Sequence, residues 1–294
     1  MISRRRFLTI SAAAAAAPAA ARAPVRWHGQ ALGAQASLTI DAPAPLAARA
    51  ISIVERTLAH AEAQFSLYRP DSALRQLNRT GVLTAPHPDF LSLMDLSDRV
   101  HHATGGAFDP TVQTLWQALS ERRGTSRAIA LIGWNRVRIT PDRVELAPGQ
   151  ALTLNGIAQG FVTDQIAHRL RAIGLRNVLV NIGEFSAIGG PWTLGIADPE
   201  HGLQERVQLT DRAIATSSGM ATMVGGQSHI LDPSGARSPR WSTVSVIADS
   251  AALADAASTA FMLMSLPDIL IARVRLHPTM RLHLMDSQGQ TQRI

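Results

Sequence analysis

The chain of 294 residues has no cysteine, and its 28 basic residues are all arginine, so lysine is absent as well. The first absence excludes disulfides, a thiol nucleophile, an iron–sulfur cluster, a thiolate zinc site and a lipid-anchored cysteine. The second excludes Schiff-base catalysis by the protein's own amine. Aromatic residues are only 4% of the chain, with a single tyrosine, too few for the stacking platforms that single-stranded nucleic acids need. The formal charge of +6 is also misleading. Four of the arginines lie within residues 1–23, and without them 24 arginines face 22 acids, a net of +2. After that segment no apolar run reaches the roughly 20 residues that a transmembrane helix requires. No internal repeat or low-complexity tract follows it either.

What is present begins with Ser3-Arg4-Arg5-Arg6-Phe7-Leu8, an alanine-rich stretch from Ile10 to Ala20, and Ala21-Arg22-Ala23. This order reads as a twin-arginine export signal with a cleavage site, which predicts a periplasmic protein that crosses the membrane folded. Residues 1–23 are therefore set aside as a signal peptide and 24–294 taken as the functional domain. Val25 to Ile40 reads as strand material. Ile51, Val54, Leu58, Ala61 and Phe65 recur at helical spacing. Further helices are expected from about Pro88 to Ala103, after Gly160 to a stop at Gly174, from Ala251 to Met264, and from Pro267 to Leu276. Strands are expected at Val178–Ile182, Trp192–Ile196, Val207–Leu209, His229–Leu231 and Thr243–Ala248, with a closing hairpin of Met280–Met285 and Thr291–Ile294 across Gln288-Gly289. Helices and strands cluster rather than alternate, which favours an α+β fold over a doubly wound sheet. There is no clean linker, so two lobes would share a core. No apolar helix face is left over, which favours a monomer.

Four segments place glycines, short polar residues and acids at the ends of apolar runs. In Thr104-Gly105-Gly106-Ala107-Phe108-Asp109-Pro110-Thr111 the backbone can approach a ligand, and the segment reads equally as a helix stop with an Asx turn. Leu152 to Gly160 runs from a strand into a helix, so it is either an anion-binding helix start or a plain connection. Ala213 to Gly219 is followed by Ser228-His229-Ile230-Leu231-Asp232-Pro233-Ser234-Gly235; His229 is a candidate base, or one of ten histidines with a structural place. Asp255 and Thr259, with Ser258 adjacent, share one face of a small-residue helix. Such an oxygen set suits Mg²⁺, or is a capped or solvated face. Neighbouring His101 and His102 point about 100° apart on a helix and do not converge on a metal.

These segments stand in the order found in FAD:protein FMN transferases, the ApbE family, which the chain resembles from near Leu32 to about Leu266. The resemblance rests on Phe65-Ser66-Leu67-Tyr68-Arg69-Pro70-Asp71-Ser72 with Leu77-Asn78, Gly106 to Thr111, Gly156-Ile157-Ala158-Gln159-Gly160 with Asp164, Val180-Asn181-Ile182-Gly183, Ala215 to Gly219, His229 to Gly235, and Ala254 to Thr259.

The resemblance implies a two-lobed α+β fold of mixed or antiparallel sheets flanked by helices, with the flavin bound between the lobes. It implies Mg²⁺-dependent transfer of FMN from FAD to a Ser/Thr hydroxyl of an acceptor flavoprotein, releasing AMP. By the same likeness Leu32, Tyr68, Ala107, Phe108, Asp109, Thr153, Gln159 and Leu231 hold the flavin nucleotide. Gly156, Asp255, Ser258 and Thr259 hold the metal, and His229 takes the acceptor's proton. The acceptor would be a membrane-anchored redox subunit, with no nucleic acid and no direct membrane contact. Thr153 stands where the family often has Asp, Asn155 where it has Gly, Gln159 where it has Lys, Leu32 where it has Met, and Gly183-Glu184-Phe185 where it has Gly-Gly-Asp. Two alternatives fit the same residues: hydrolysis of FAD to FMN and AMP, and a non-catalytic FAD carrier.

Overall fold

The computed structural model describes residues 23–294; the expected signal segment, Ala23 apart, lies outside them. The chain opens with β1 (Val25–Ala31) and β2 (Ala34–Ile40), then α1 (Ala44–Phe65), α2 (Ala73–Thr80), β3 (Val82–Thr84) and α3 (Pro88–Ala103). A 3₁₀ turn at Pro110–Val112 leads into α4 (Gln113–Ser120) and α5 (Ser126–Leu131). β4 (Arg138–Thr140), β5 (Arg143–Glu145) and α6 (Ala158–Ala172) follow. The second half holds β6 (Val178–Asn181), β7 (Phe185–Ile188), β8 (Trp192–Asp198), β9 (Gly202–Leu209), β10 (Ala213–Ser218), β11 (Met223–Val224), β12 (Gln227–Ser228) and β13 (Thr243–Ala248). It closes with α7 (Ala251–Phe261), α8 (Leu266–Leu276), β14 (Arg281–Met285) and β15 (Thr291–Arg293).

The centre is one eight-stranded sheet in the order β1-β2-β6-β7-β10-β13-β14-β15. Every neighbouring pair in it is antiparallel. Both faces are covered. Val178 and Val180 of β6 point into the main core with α1, α6 and α7, whereas Leu179 points to the opposite face. There Leu194, Ile196 and Leu209 of the β8–β9 hairpin pack on it. Side chains alternate across a strand, so a strand covered on both sides reads as the unbroken apolar run seen in the sequence. The main core runs without a boundary from Ala31 to Leu284, as the missing linker implied.

Most of the expected elements are present, with shifted limits. α1 begins at Ala44, with Pro45 in its first turn, and buries Val54, Leu58, Ala61 and Phe65 on the predicted face. The stretch Val25–Ile40 is not one strand but a hairpin, because Leu32 (φ 48°) and Gly33 (φ 83°) make a two-residue turn with both residues left-handed. α6 starts at Ala158, ahead of Gly160. α7 stops at Phe261 rather than Met264. His229–Leu231 is not a strand: pairing ends at Ser228, whose side chain accepts the Ile230 N–H and turns the chain. α2 and the three-stranded sheet β3-β5-β4 were not anticipated. No described helix is long and apolar enough to cross a membrane. α8 does leave an apolar face over, since Leu270, Ile271 and Val274 are exposed; the reason given for a monomer therefore falls away.

Candidate functional site

The site is built around the start of α7. Ser250 caps that helix by accepting the Leu253 N–H. Asp164 of α6 secures it further: its carboxylate takes the Ala251 N–H at 2.8 Å, the Ala252 N–H at 3.0 Å and the Ser250 hydroxyl at 2.7 Å. Burial pushes the Asp164 carboxyl up from its ordinary pKa, while these three donors pull it down. A carboxylate at a helix N-terminus also complements the positive end of the helix. α6 and α7 meet at Gly160, where an added Cβ would fall 2.3 Å from the Ala251 carbonyl oxygen. Only a glycine allows that approach, and it lets Asp255 Oδ2 accept the Gly160 N–H at 3.1 Å.

Asp255 is thereby fixed with its second oxygen free of hydrogen bonds, among other oxygen atoms. Ser258 donates to the Asp255 carbonyl at 3.0 Å, so Ser217 of β10 must be the donor in the 2.8 Å contact between Ser217 and Ser258. Ser217 Oγ also lies 3.4 Å from Thr259 Oγ1. Gly156 faces Thr259 so closely that a Cβ would sit 3.0 Å from its hydroxyl. Glu184, 8% exposed, accepts the Thr216 N–H at 3.2 Å from the neighbouring strand. Its carboxyl is held well above the ordinary pKa, first by burial and then by the charge of Asp255. Burial likewise raises Asp255 to about 7. Among the described residues neither carboxylate forms an ion pair. Two buried acids without a cation are costly. A donor set of carboxylates and hydroxyls is the kind that takes Mg²⁺. The residues present thus fit the ion expected from the sequence, and add Glu184 and Ser217 to it.

The flavin candidates fall into two groups. Leu32 sits in the strained β1–β2 turn, its N–H bonded to Glu62 Oε1 at 2.5 Å and its carbonyl 3.5 Å from Gln159 Nε2. The ring of Tyr68, 67% exposed, lies over Gly33 of the same turn. Gln159 also abuts Gly183, so Leu32, Tyr68 and Gln159 converge beside the Gly156–Asp255 cluster. The second group is the Thr104–Pro110 loop with Thr153, whose N–H bonds the Pro110 carbonyl at 2.9 Å. Asn78 positions the approach to Thr153 by bonding both the N–H and the carbonyl of Leu152.

Several residues stand differently from their expected roles. Asp109 makes the Asx turn: Oδ1 takes the Thr111 N–H and hydroxyl, and Oδ2 takes the Trp134 N–H. Three of its roughly four acceptor sites are thus used in shaping the loop. Phe108 and Leu231 are buried in apolar clusters, Leu231 with Leu115 and Val224. The Phe108 N–H and carbonyl are themselves bonded to Thr104 Oγ1 and His101 Nδ1, so of the two only Leu231 has main-chain groups open to a ligand. Ala107 is half-buried beside Phe108. The helix start near Gly160 is not an open anion site, because Asp255 already holds the Gly160 N–H. His101 and His102 bond the Phe108 and Asp98 carbonyls respectively, and their rings meet edge to face with centroids 5.5 Å apart.

His229 is half-buried on the excursion between β10 and β13. Its Nδ1 lies 3.0 Å from the Thr222 carbonyl. A carbonyl can only accept, so Nδ1 carries the proton and Nε2 keeps its lone pair. Burial lowers the imidazole pKa below its ordinary value, against the opposing bond to Thr222. No hydrogen bond joins His229 to the Asp255 cluster. A cavity of about 550 Å³ opens between the Gly105–Ala107 loop, the Asp232–Arg237 turn and α8. It does not include Asp255, Thr259 or Tyr68.

Sequence reasoning missed Asp164, Glu62 and Ser217 as positioning residues and weighed Glu184 only as a departure. The signal for Glu184 was present: it is an acid inside the apolar stretch Val178–Ile188.

Comparison with known proteins gives a consistent assignment. The family model described as the ApbE family matches residues 32–279. A curated relative in Haemophilus influenzae named FAD:protein FMN transferase is 26% identical over 193 residues, 56% of this chain and 56% of that protein. The chain thus spans little more than half the length of that relative. A protein of the same name in Vibrio cholerae is 29% identical over 243 residues, 72% of either chain. The solved flavin transferase ApbE of Vibrio cholerae superposes with a TM-score of 0.80 at 22% identity, covering 92% of this chain and 97% of that one. The apo form of Pseudomonas stutzeri flavinyl transferase ApbE gives 0.78 at 26% identity, covering 92% and 94%.

Proposed function

The chain belongs to the ApbE family, and from that premise we propose that it is an FAD:protein FMN transferase that uses Mg²⁺. The observation that carries the metal part of this reading is the oxygen cluster of Asp255, Thr259 and Ser217 beside the second buried carboxylate, Glu184, with Gly156 packed against Thr259. Mg²⁺ bound there would neutralise charge on the diphosphate during transfer. Tyr68 would stack on the flavin ring, with Leu32 and Gln159 lining the same turn. Thr153 and the Ala107–Asp109 loop would present main-chain groups to the nucleotide, and Ser258 would hold Ser217 in place.

The reaction joins the acceptor's hydroxyl oxygen to the phosphorus on the FMN side of the diphosphate. The phosphorus–oxygen bond to AMP breaks, and AMP leaves. The hydroxyl proton goes to a base, for which His229 Nε2 is suited: it is unprotonated, and the lowered pKa keeps it so at neutral pH. The export segment read at 1–23 would place this reaction in the periplasm, on a redox subunit exposed there.

The test combines the chain with FAD, Mg²⁺ and a candidate acceptor domain, and reads the acceptor's intact mass together with AMP. An acceptor heavier by one FMN, with equal AMP and loss of both in EDTA, is the expected result. AMP without a heavier acceptor would replace the proposal by hydrolysis; bound FAD with no AMP would replace it by a carrier. His229→Ala is expected to slow transfer about 10²-fold while FAD binding stays nearly constant. In the parent chain the rate should rise with pH as His229 loses its proton below its ordinary range, and then level off. The variant should lack that acid limb, and an unchanged pH profile would remove His229 from the role of base. Glu184→Gln keeps the shape and discards the charge. It is expected to raise the Mg²⁺ concentration for half-maximal rate roughly 10- to 100-fold; an unaltered Mg²⁺ titration would exclude Glu184 from the metal's surroundings.

A further inference from the structure

Away from the oxygen cluster, α1 and the start of α3 bring together three groups of a different chemistry. His60 of α1 places Nε2 3.1 Å from Asp89 Oδ2. His87, the residue that caps α3, places Nδ1 3.7 Å from the same oxygen. One ligand atom from each of the three lies within 4.8 Å of the other two. The two imidazole rings meet edge to face, with centroids 4.4 Å apart. All three side chains are partly open to solvent, at 30%, 44% and 23% exposure for His60, His87 and Asp89.

We propose that His60, His87 and Asp89 form a zinc site that staples α1 to α3. A tetrahedral zinc with bonds of about 2.0–2.1 Å holds its ligand atoms roughly 3.4 Å apart, and the two measured spacings to Asp89 bracket that value. Two imidazoles and one carboxylate suit zinc and its first-row neighbours, whereas Mg²⁺ takes oxygen ligands. His87 Nδ1 is unprotonated, because it accepts the Asp89 N–H at 3.1 Å, and its lone pair is engaged there in the absence of metal. Zinc would take over that lone pair. The fourth position is left to water.

The placement argues for a structural ion. The two helices are packed in the core below the cluster, where Phe65 of α1 and Phe90 of α3 stack with centroids 6.0 Å apart. α1 runs on into the loop of Tyr68, and α3 ends at the Thr104–Asp109 loop. Fourteen residues along the helix separate Asp89 from Ala103, about 21 Å at 1.5 Å per residue. The ion would therefore fix against each other the two helices that carry these loops.

The experiment uses the tag-free full chain, stripped with EDTA, dialysed and supplied with excess MgCl₂ so that the oxygen cluster is occupied. Zinc is then added, and bound metal and the melting midpoint are read together. One zinc per chain with a raised midpoint is expected, with the same stoichiometry in Asp255→Asn. His60→Gln and His87→Gln should each weaken binding at least about 100-fold and lose the zinc-dependent rise. His60→Gln should melt like the EDTA-treated parent, and His87→Gln somewhat below it because the α3 cap is lost. Asp89→Asn serves as a third variant if either histidine change prevents folding. Cobalt(II) substituted for zinc should give the intense visible bands of a tetrahedral site, absent in His60→Gln. Zinc binding that survives all three changes, that disappears in Asp255→Asn, or that is not seen in the parent chain would overturn the site.

Discussion

Asp255→Asn is expected to lower both AMP release and acceptor modification about 10⁴-fold or more, with the protein still folded. The size follows from what the side chain does in the proposed reaction. Removing a metal's principal carboxylate forfeits several kcal/mol of charge stabilisation at the phosphoryl group, and about 5.5 kcal/mol corresponds to 10⁴ in rate. The choice of asparagine isolates the charge. Its amide oxygen can still accept the Gly160 N–H that Asp255 now holds at 3.1 Å, so the contact between α6 and α7 survives. Removing one of two buried acids also relieves an electrostatic penalty when no ion is bound. The melting midpoint in EDTA should therefore stay level or rise as activity collapses. A variant retaining a tenth of the parental rate would mean that Asp255 does not hold the metal.

Gly160→Ala is expected to cost about 3 kcal/mol of stability and nearly all activity. Two effects of opposite sign compete. Alanine favours a helix interior over glycine by about 1 kcal/mol. Against that, the new methyl would lie 2.3 Å from the Ala251 carbonyl oxygen, 2.6 Å from its carbon and 2.7 Å from Ala252 Cα. All three are main-chain atoms of α7, so no rotamer change relieves the clash and the helices must separate. Overpacking costs roughly 1–3 kcal/mol and occasionally more. Because all three contacts are to main-chain atoms, this case lies above that range at about 4 kcal/mol, which leaves about 3 after the propensity gain. For a domain of this size the melting midpoint should fall roughly 6–12 °C. Because Asp255 rides on the displaced helix, a shift near 1 Å would cost about 10² or more in rate even where the protein stays folded. Gly124 is the control: nothing lies within 4 Å of a Cβ there, and Gly124→Ala should leave both quantities close to parental. A Gly160→Ala protein with parental melting and activity would show that α6 and α7 pack less tightly than the structure has them.

Much of the architecture was legible because it obeys periodicity. The 3,4,3,4 spacing from Ile51 to Phe65 gave α1 its buried face, and the run at Val178–Ile182 announced a strand covered on both sides. The hairpin of β14 and β15 across Gln288-Gly289 followed from its turn residues. The pairing of Asp255 with Thr259 was visible because both lie on one helix. The β1–β2 turn was not, since Leu32-Gly33 lacks the Asn or Asp that marks such turns, and Leu32 accepts a left-handed φ of 48°. Asp164, Glu184 and Ser217 were obscure for another reason. Each acts on a residue of a different element, and no local spacing encodes a contact between distant segments. His229–Leu231 misled because its apolar character reflects burial in loops against α4 and β11 rather than strand pairing.

The glycine contact between α6 and α7 has a kinetic side as well. Gly160 and Asp255 are 95 residues apart along the chain, and Leu32 meets Gln159 across 127. Closing such long loops costs entropy before any contact compensates, so a topology of this kind folds slowly. During synthesis the nascent chain carries Tyr68 and the Asp109 loop for a long interval before α7 exists. The proposed metal cluster is therefore incomplete through the early stages, and the last third of the chain is what commits the rest to its final form.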